Sequence, residues 1–132
     1  MAKAAANLAW LDQAARELGS SAEYRKLGST DMHVGLAIGE QAYLVRFEAF
    51  GVSSINAISN SDLRDADFVI RMNVKEWIAY LKKRKKGAGP TLMSLDLDEG
   101  VIDAPNPLKK LKFERYNLSL QAFVDHGASL AA

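Results

Sequence analysis

Apolar residues open the chain at helical spacing: Ala4, Leu8, Leu11, Ala15 and Leu18 share one face, and Gly19 stands where a left-handed residue closes a helix. This predicts a helix over 3–18. In "SSAEYRKLG", Ser20 and Glu23 have capping-box spacing and Gly28 supplies a stop, so a short second helix follows. The period then changes from 3.6 to 2. Met32, Val34, Leu36 and Ile38 alternate with His33, Gly35, Ala37 and Gly39, "QAYLVRFEAF" follows, and Gly39-Glu40 is placed as the turn of an antiparallel hairpin. One face of the first strand is small, which predicts close approach by a helix or another backbone. "VSSINAIS" reads as a third strand, and Phe68, Ile70 and Met72 mark a fourth.

Asn73, with Glu76 three positions later, caps a helix that carries Val74, Trp77, Ile78 and Leu81 on one face and ends near Lys86 before "GAGP". "TLMSLDLDEG" predicts a short helix, "VIDA" a fifth strand, and Asn106-Pro107 the start of a long helix running to about His126 and Gly127. The order of helices, strands and helices predicts an α+β fold, with a five-stranded antiparallel sheet covered by helices. A single domain over 1–132 is expected, with 1–19 as an amino-terminal extension. At about 100° per residue, Leu108, Leu111, Leu118 and Ala122 form one flank of the last helix, and Phe113, Tyr116, Leu120, Phe123 and Val124 another. So wide an apolar arc predicts burial against the core and against a second surface, ligand or subunit.

Composition narrows the chemistry. With 48% apolar residues in 132, the chain can bury a core unaided, and 17 basic against 16 acidic residues leave a charge of +1, no general field for nucleic acid. The absence of cysteine removes disulfides, thiolate nucleophiles and zinc-thiolate sites. "MAKAAANLAWLDQAARELG" carries Asp12, Arg16 and Glu17 before any long apolar run and does not read as a secretory signal; no run approaches the ~20 residues of a membrane span. A soluble, cytoplasmic protein is expected. His33 and His126 lack metal-ligand spacing, no Ser/His/Asp order is evident, and "GAGP" lacks the lysine of a phosphate loop. The reading therefore assigns no catalytic residue, metal or cofactor. Arg46 and Glu48 share a strand face and are expected to pair across the sheet with Arg71 or Asp67. The run from Lys82 to Lys86 sits at a helix carboxyl end, where positive charge is favoured; it is read as a solvated end, with an anionic membrane or an acyl carrier as possible partners.

"AEYRKLGSTDMHVGLAIGEQAYLVRFEAFGV", the strand Tyr43-Leu44-Val45-Arg46-Phe47-Glu48, the "AD-x-x-I-x-M" strand at Ala66 to Met72, and the helix bearing Trp77 and Leu81 resemble the sterol carrier protein type-2 domain family, especially its stand-alone bacterial members. The likeness covers roughly residues 20 to 125. It implies a five-stranded antiparallel sheet, a helical layer, and between them an apolar tunnel for fatty acyl chains, sterols or similar molecules. After the Trp77 helix the chain departs from the family: "LDLDEGVIDAPNPLKKL" stands where a "G-K-L-x-I-x-G-D" strand and turn is usual.

The leading expectation is a module that binds or transfers a hydrophobic small molecule. Trp77, Ile78, Leu81, Leu92, Leu95, Leu111, Tyr116, Leu120 and Phe123 line or roof the cavity, and Arg115 or Lys112 meets a polar end. The alternatives are a small enzyme using His33, Tyr43, Tyr116 or Arg46 in the same cavity, and an interaction domain forming a homodimer through helix one or the last helix.

Overall fold

A computed structural model describes residues 10–130 of the chain. Helix α1 spans Trp10–Leu18 and α2 Ala22–Arg25; strands β1 (Thr30–Ile38), β2 (Gln41–Ala49) and β3 (Gly51–Ile58) follow. A 3-10 turn at Asn60–Asp65 leads to β4 (Phe68–Met72), then α3 (Val74–Lys85), α4 (Leu92–Glu99), β5 (Ile102–Asp103) and α5 (Pro107–Leu130). The part of the first helix expected over 3–9 lies outside the described residues.

Local signals act as the sequence suggests. Asn73 Oδ1 accepts the Glu76 amide at 2.8 Å while Glu76 Oε1 accepts the Asn73 amide at 2.9 Å, closing the capping box. Thr91 caps α4 and Gly100, at φ 64°, ends it. One cap is displaced: Ser21, not Ser20, accepts the Tyr24 amide and starts α2. The buried Tyr24 phenol has no partner at hydrogen-bond distance, and burial pushes its pKa up, although the Thr30 and Ser119 hydroxyls oppose the shift.

The sheet order is β3-β2-β1-β4-β5. The expected all-antiparallel sheet is corrected here, because β1 and β4 run parallel from Val34↔Phe68 to Ile38↔Met72. Asp67 sets this register from both its main chain and its side chain. Its amide donates to the His33 carbonyl at 2.7 Å, and its carboxylate accepts the His33 amide at 2.8 Å. The same carboxylate receives Lys109 Nζ at 2.7 Å and Lys112 Nζ at 3.3 Å, which ties α5 to the sheet. Burial alone raises the Asp67 pKa; the Lys109 bond, the His33 amide and the Lys112 charge outweigh it and hold the carboxyl below its ordinary value.

A group with a lowered folded pKa stabilises most where it is ionised in both states. The Asp67 contribution is therefore complete above the unfolded value of 3.8 and is lost as pH falls through the folded one. Asp67→Asn is expected to cost about 1–3 kcal/mol in urea unfolding at neutral pH. The gap from wild type should shrink below about pH 4; a gap that stays constant down to pH 2 would remove Asp67 from this role.

The two sheet faces are unlike. On one, the 3-10 turn covers β1: Gly35 lies under Leu63 and Val69, where an added Cβ would come within 2.8 and 2.9 Å of their side chains. This is the close approach the small strand face predicted. The other face carries Met32, Val34, Leu36, Ile38, Tyr43, Val45, Phe47, Phe68, Ile70 and Met72 into the main core with the helices. Trp10, Trp77, Phe113, Leu120 and Phe123 fill this layer. Phe123 stands edge-on to Phe47 with centroids 5.3 Å apart, and Phe113 packs likewise on Phe68 at 5.5 Å. Buried side chains occupy this layer, and no open tunnel is seen there among the described residues.

Candidate functional site

At the margin of that layer, α4 packs on α5 and faces α3 and the end of β4 across a cleft. Of its residues only Leu92 is fully buried, Met93 and Leu95 are half-buried, and Leu97 is 83% exposed. Polar contacts add to its hold, at its first residue and at Asp96 in its middle. Gln121 of α5 accepts the Leu92 amide at 2.6 Å, and Asp96 accepts the Ile102 amide at 2.9 Å and pairs with Lys110 at 2.6 Å. Gln121 also donates to the Tyr80 hydroxyl and to Asp125, whose carboxylate takes Arg84 in a bidentate pair at 2.8 and 2.7 Å. Arg84 reaches on to the Gly89 carbonyl, so one buried network fixes the "GAGP" loop that feeds α4.

Between α3 and α4 is a cleft of about 200 Å3 lined by Met72, by Ala79 and Tyr80 of α3, by Pro90, by Leu95 of α4 and by Val101. Glu76, Lys83 and Glu99 stand among the same walls. The α3 members recur as 76, 79, 80 and 83, a helical face adjacent to the 74, 77, 78 and 81 face. Burial raises the Tyr80 pKa, keeping the phenol neutral beside the cleft.

The structure places the ten expected ligand residues in three settings. Trp77, Leu81, Leu92, Leu120 and Phe123 are core; the Trp77 indole donates to the Ala37 carbonyl at 3.0 Å. Leu95 lines the cleft, while Ile78 and Tyr116 are half-buried. Leu111 and Arg115 point outward, the Arg115 guanidinium lying over the Tyr116 ring at 5.4 Å, away from any enclosed polar end. Lys112 is engaged by Asp67. Met72, Ala79, Tyr80, Pro90 and Val101 were not singled out by the sequence reading; the repeat along the second α3 face was the available signal.

Other expectations change on contact. Arg71 pairs with Asp103 at 2.8 Å and Glu48 accepts the Ser53 hydroxyl at 2.8 Å, so the cross-strand pairs sought with Arg46 and Glu48 are replaced by nearer partners. In the basic run, Arg84 turns inward to Asp125, and Lys82, Lys83, Lys85 and Lys86 remain exposed. His126 meets Glu17 at 2.6 Å, joining α5 to α1, and the Tyr43 hydroxyl donates to Gln41. Among the described residues no three His, Asp or Glu side chains are grouped to hold a metal ion, and no helix is long and apolar enough to cross a membrane. Comparison with models of known families, with curated proteins and with solved structures returns no match for this chain.

Proposed function

We propose that the protein binds an apolar small molecule, of the fatty acyl or isoprenoid kind, in the cleft between α3 and α4. The observation that carries this reading is a wall of Met72, Ala79, Tyr80, Pro90, Leu95 and Val101 roofed by a helix with a single fully buried side chain. About 200 Å3 falls below the ~300–1,000 Å3 of ordinary ligand pockets, so a full-sized guest requires Leu95 to withdraw as α4 swings outward. α4 holds one fully buried and two half-buried apolar side chains, so its outward movement exposes little apolar surface. The resemblance to sterol carrier domains, and to their apolar guests, points the same way.

Burial of about 300 Å2 of ligand at ~25 cal/mol per Å2 contributes about 7.5 kcal/mol, and association costs of about 4 kcal/mol or more leave affinities on the order of millimolar. Decanoate titrated into the protein and followed by amide NMR is expected to shift α3 and α4 first. Ala79→Trp, which fills the cleft from an exposed helix position, should weaken binding at least ~10-fold. Saturable binding unaffected by this substitution, or no binding, rejects the cleft.

A second reading rests on α5. Leu108, Leu111 and Leu118 are 76, 55 and 66% exposed and, with Arg115, follow one outward line at three- and four-residue steps. The sequence anticipated two buried flanks on this helix; among the described residues the aromatic flank is covered, and the exposed leucines of the other flank suit an apolar protein partner.

A further inference from the structure

The sheet ends in two unlike edges. β5 has two residues, and Asp103 there is closed against Arg71. β3, at the other end, has eight residues, "GVSSINAI", with neither charge nor proline. Such edges present unpaired amides and carbonyls, and proteins commonly blunt them with charge, proline, a bulge or a covering segment. The one irregularity in β3 falls between the Val52 and Ser54 pairings, which leaves 54–58 in regular register with β2. Among the described residues, no strand lies beyond it.

We propose that two copies of the chain associate by antiparallel pairing of β3 with β3 about a two-fold axis, which merges two five-stranded sheets into one. A row of alternating donors and acceptors is complementary to itself reversed, and an uncharged strand meets no repulsion from its own image. Ile55 pairs with Val45 and shares its core-side face, whereas Ser54 and Asn56 share the opposite one. A two-fold at Ile55 sets the two Ile55 side chains together on the helical side and Ser54 opposite the partner's Asn56 on the other, hydroxyl to amide. A foreign peptide added to an edge is selected by pockets for its alternate side chains. Four clefts among the described residues lie instead against α2, α4, the 3-10 turn and β5, with no β3 residue in their walls. A single strand pair is at the small end of interfaces, below ~1,200 Å2, so the dimer is expected to be reversible, dissociating on the order of 10–100 μM.

Because the chain has no cysteine, single-cysteine variants report contacts cleanly. Directly opposed residues in an antiparallel pair have Cβ atoms ~4.5–5.5 Å apart, near disulfide range. Under mild oxidation Ile55→Cys is expected to give covalent dimer much faster than Lys86→Cys, an exposed position far along the chain. In sedimentation equilibrium the wild type should dimerise, and the double variant Ser54→Lys with Asn56→Lys should stay monomeric. The proposal is overturned if the wild type is monomeric to millimolar concentration, if the lysine variant dimerises as well as wild type, or if Ile55→Cys cross-links no faster than Lys86→Cys. A dimer abolished by Leu111→Asp and indifferent to the lysines would place the contact on α5 and equally overturn it.

Discussion

Trp77→Ala is expected to destabilise the protein by about 3–5 kcal/mol, the usual cost of emptying a fully buried aromatic site. The indole is wholly enclosed between α3 and the sheet and donates to the Ala37 carbonyl, so the substitution opens a cavity and removes a buried hydrogen bond together. Trp77→Phe keeps most of the packing and loses the donor, with an expected loss nearer 1–3 kcal/mol from the smaller ring and the missing bond. Urea unfolding of both variants measures the two contributions. The result also separates two views of this side chain: a cavity-lining residue would, when truncated, alter ligand affinity with little change in stability. A loss below about 1.5 kcal/mol for the alanine variant would show that the layer is not packed as described.

The second large effect is at Gly127. A Cβ there would stand 2.0 Å from Trp10 Cε3 and 2.4 Å from Cζ3, well inside any tolerated contact, so the ring or α1 must move. Alanine in place of a mid-helix glycine gains about 1 kcal/mol of helix propensity, while overpacking costs about 1–3. The net expected for Gly127→Ala is a loss of up to about 2 kcal/mol. Gly127→Val should lose more, since it adds volume without the propensity gain. A double-mutant cycle gives the sharpest form. With Trp10→Ala as background the clash disappears, and Gly127→Ala should turn mildly stabilising. If the substitution costs the same with and without the Trp10 ring, the α1–α5 contact is not what Gly127 serves.

Gly127 also shows where the sequence stopped being informative. Read alone, a glycine after His126 looks like a helix stop, and the long helix was expected to finish there; α5 continues to Leu130 because the residue is needed small against Trp10. Signals carried within a few residues were legible: the Asn73–Glu76 box, the Gly39 turn, the short helix within "TLMSLDLDEG", and the Asn106-Pro107 start. Pairing between distant segments was not. The parallel match of β1 with β4 accompanies Asp67 meeting the His33 main chain, 34 residues away, and although the sequence marked this carboxylate for pairing, no local pattern named that partner.

The site shows the same division. The residues chosen as cavity walls were the most apolar positions of each helix, and those are the ones a core claims first; Trp77, Leu81 and Phe123 went inward. The cleft fell to the adjacent, less apolar α3 face of Ala79 and Tyr80, and to Met72 and Val101 from other elements. Gln121, a polar residue inside an apolar stretch of α5, was the visible hint that something there needed its amide; its partners Leu92, Tyr80 and Asp125 emerge only in three dimensions.

Native mass spectrometry of protein purified without detergent, before and after incubation with decanoate, bears most directly on the ligand-binding account. One added ligand per chain, carried from the cell or taken up from decanoate and lost in Ala79→Trp, is the expected spectrum. A bare chain mass under both conditions, with the protein folded, would contradict it.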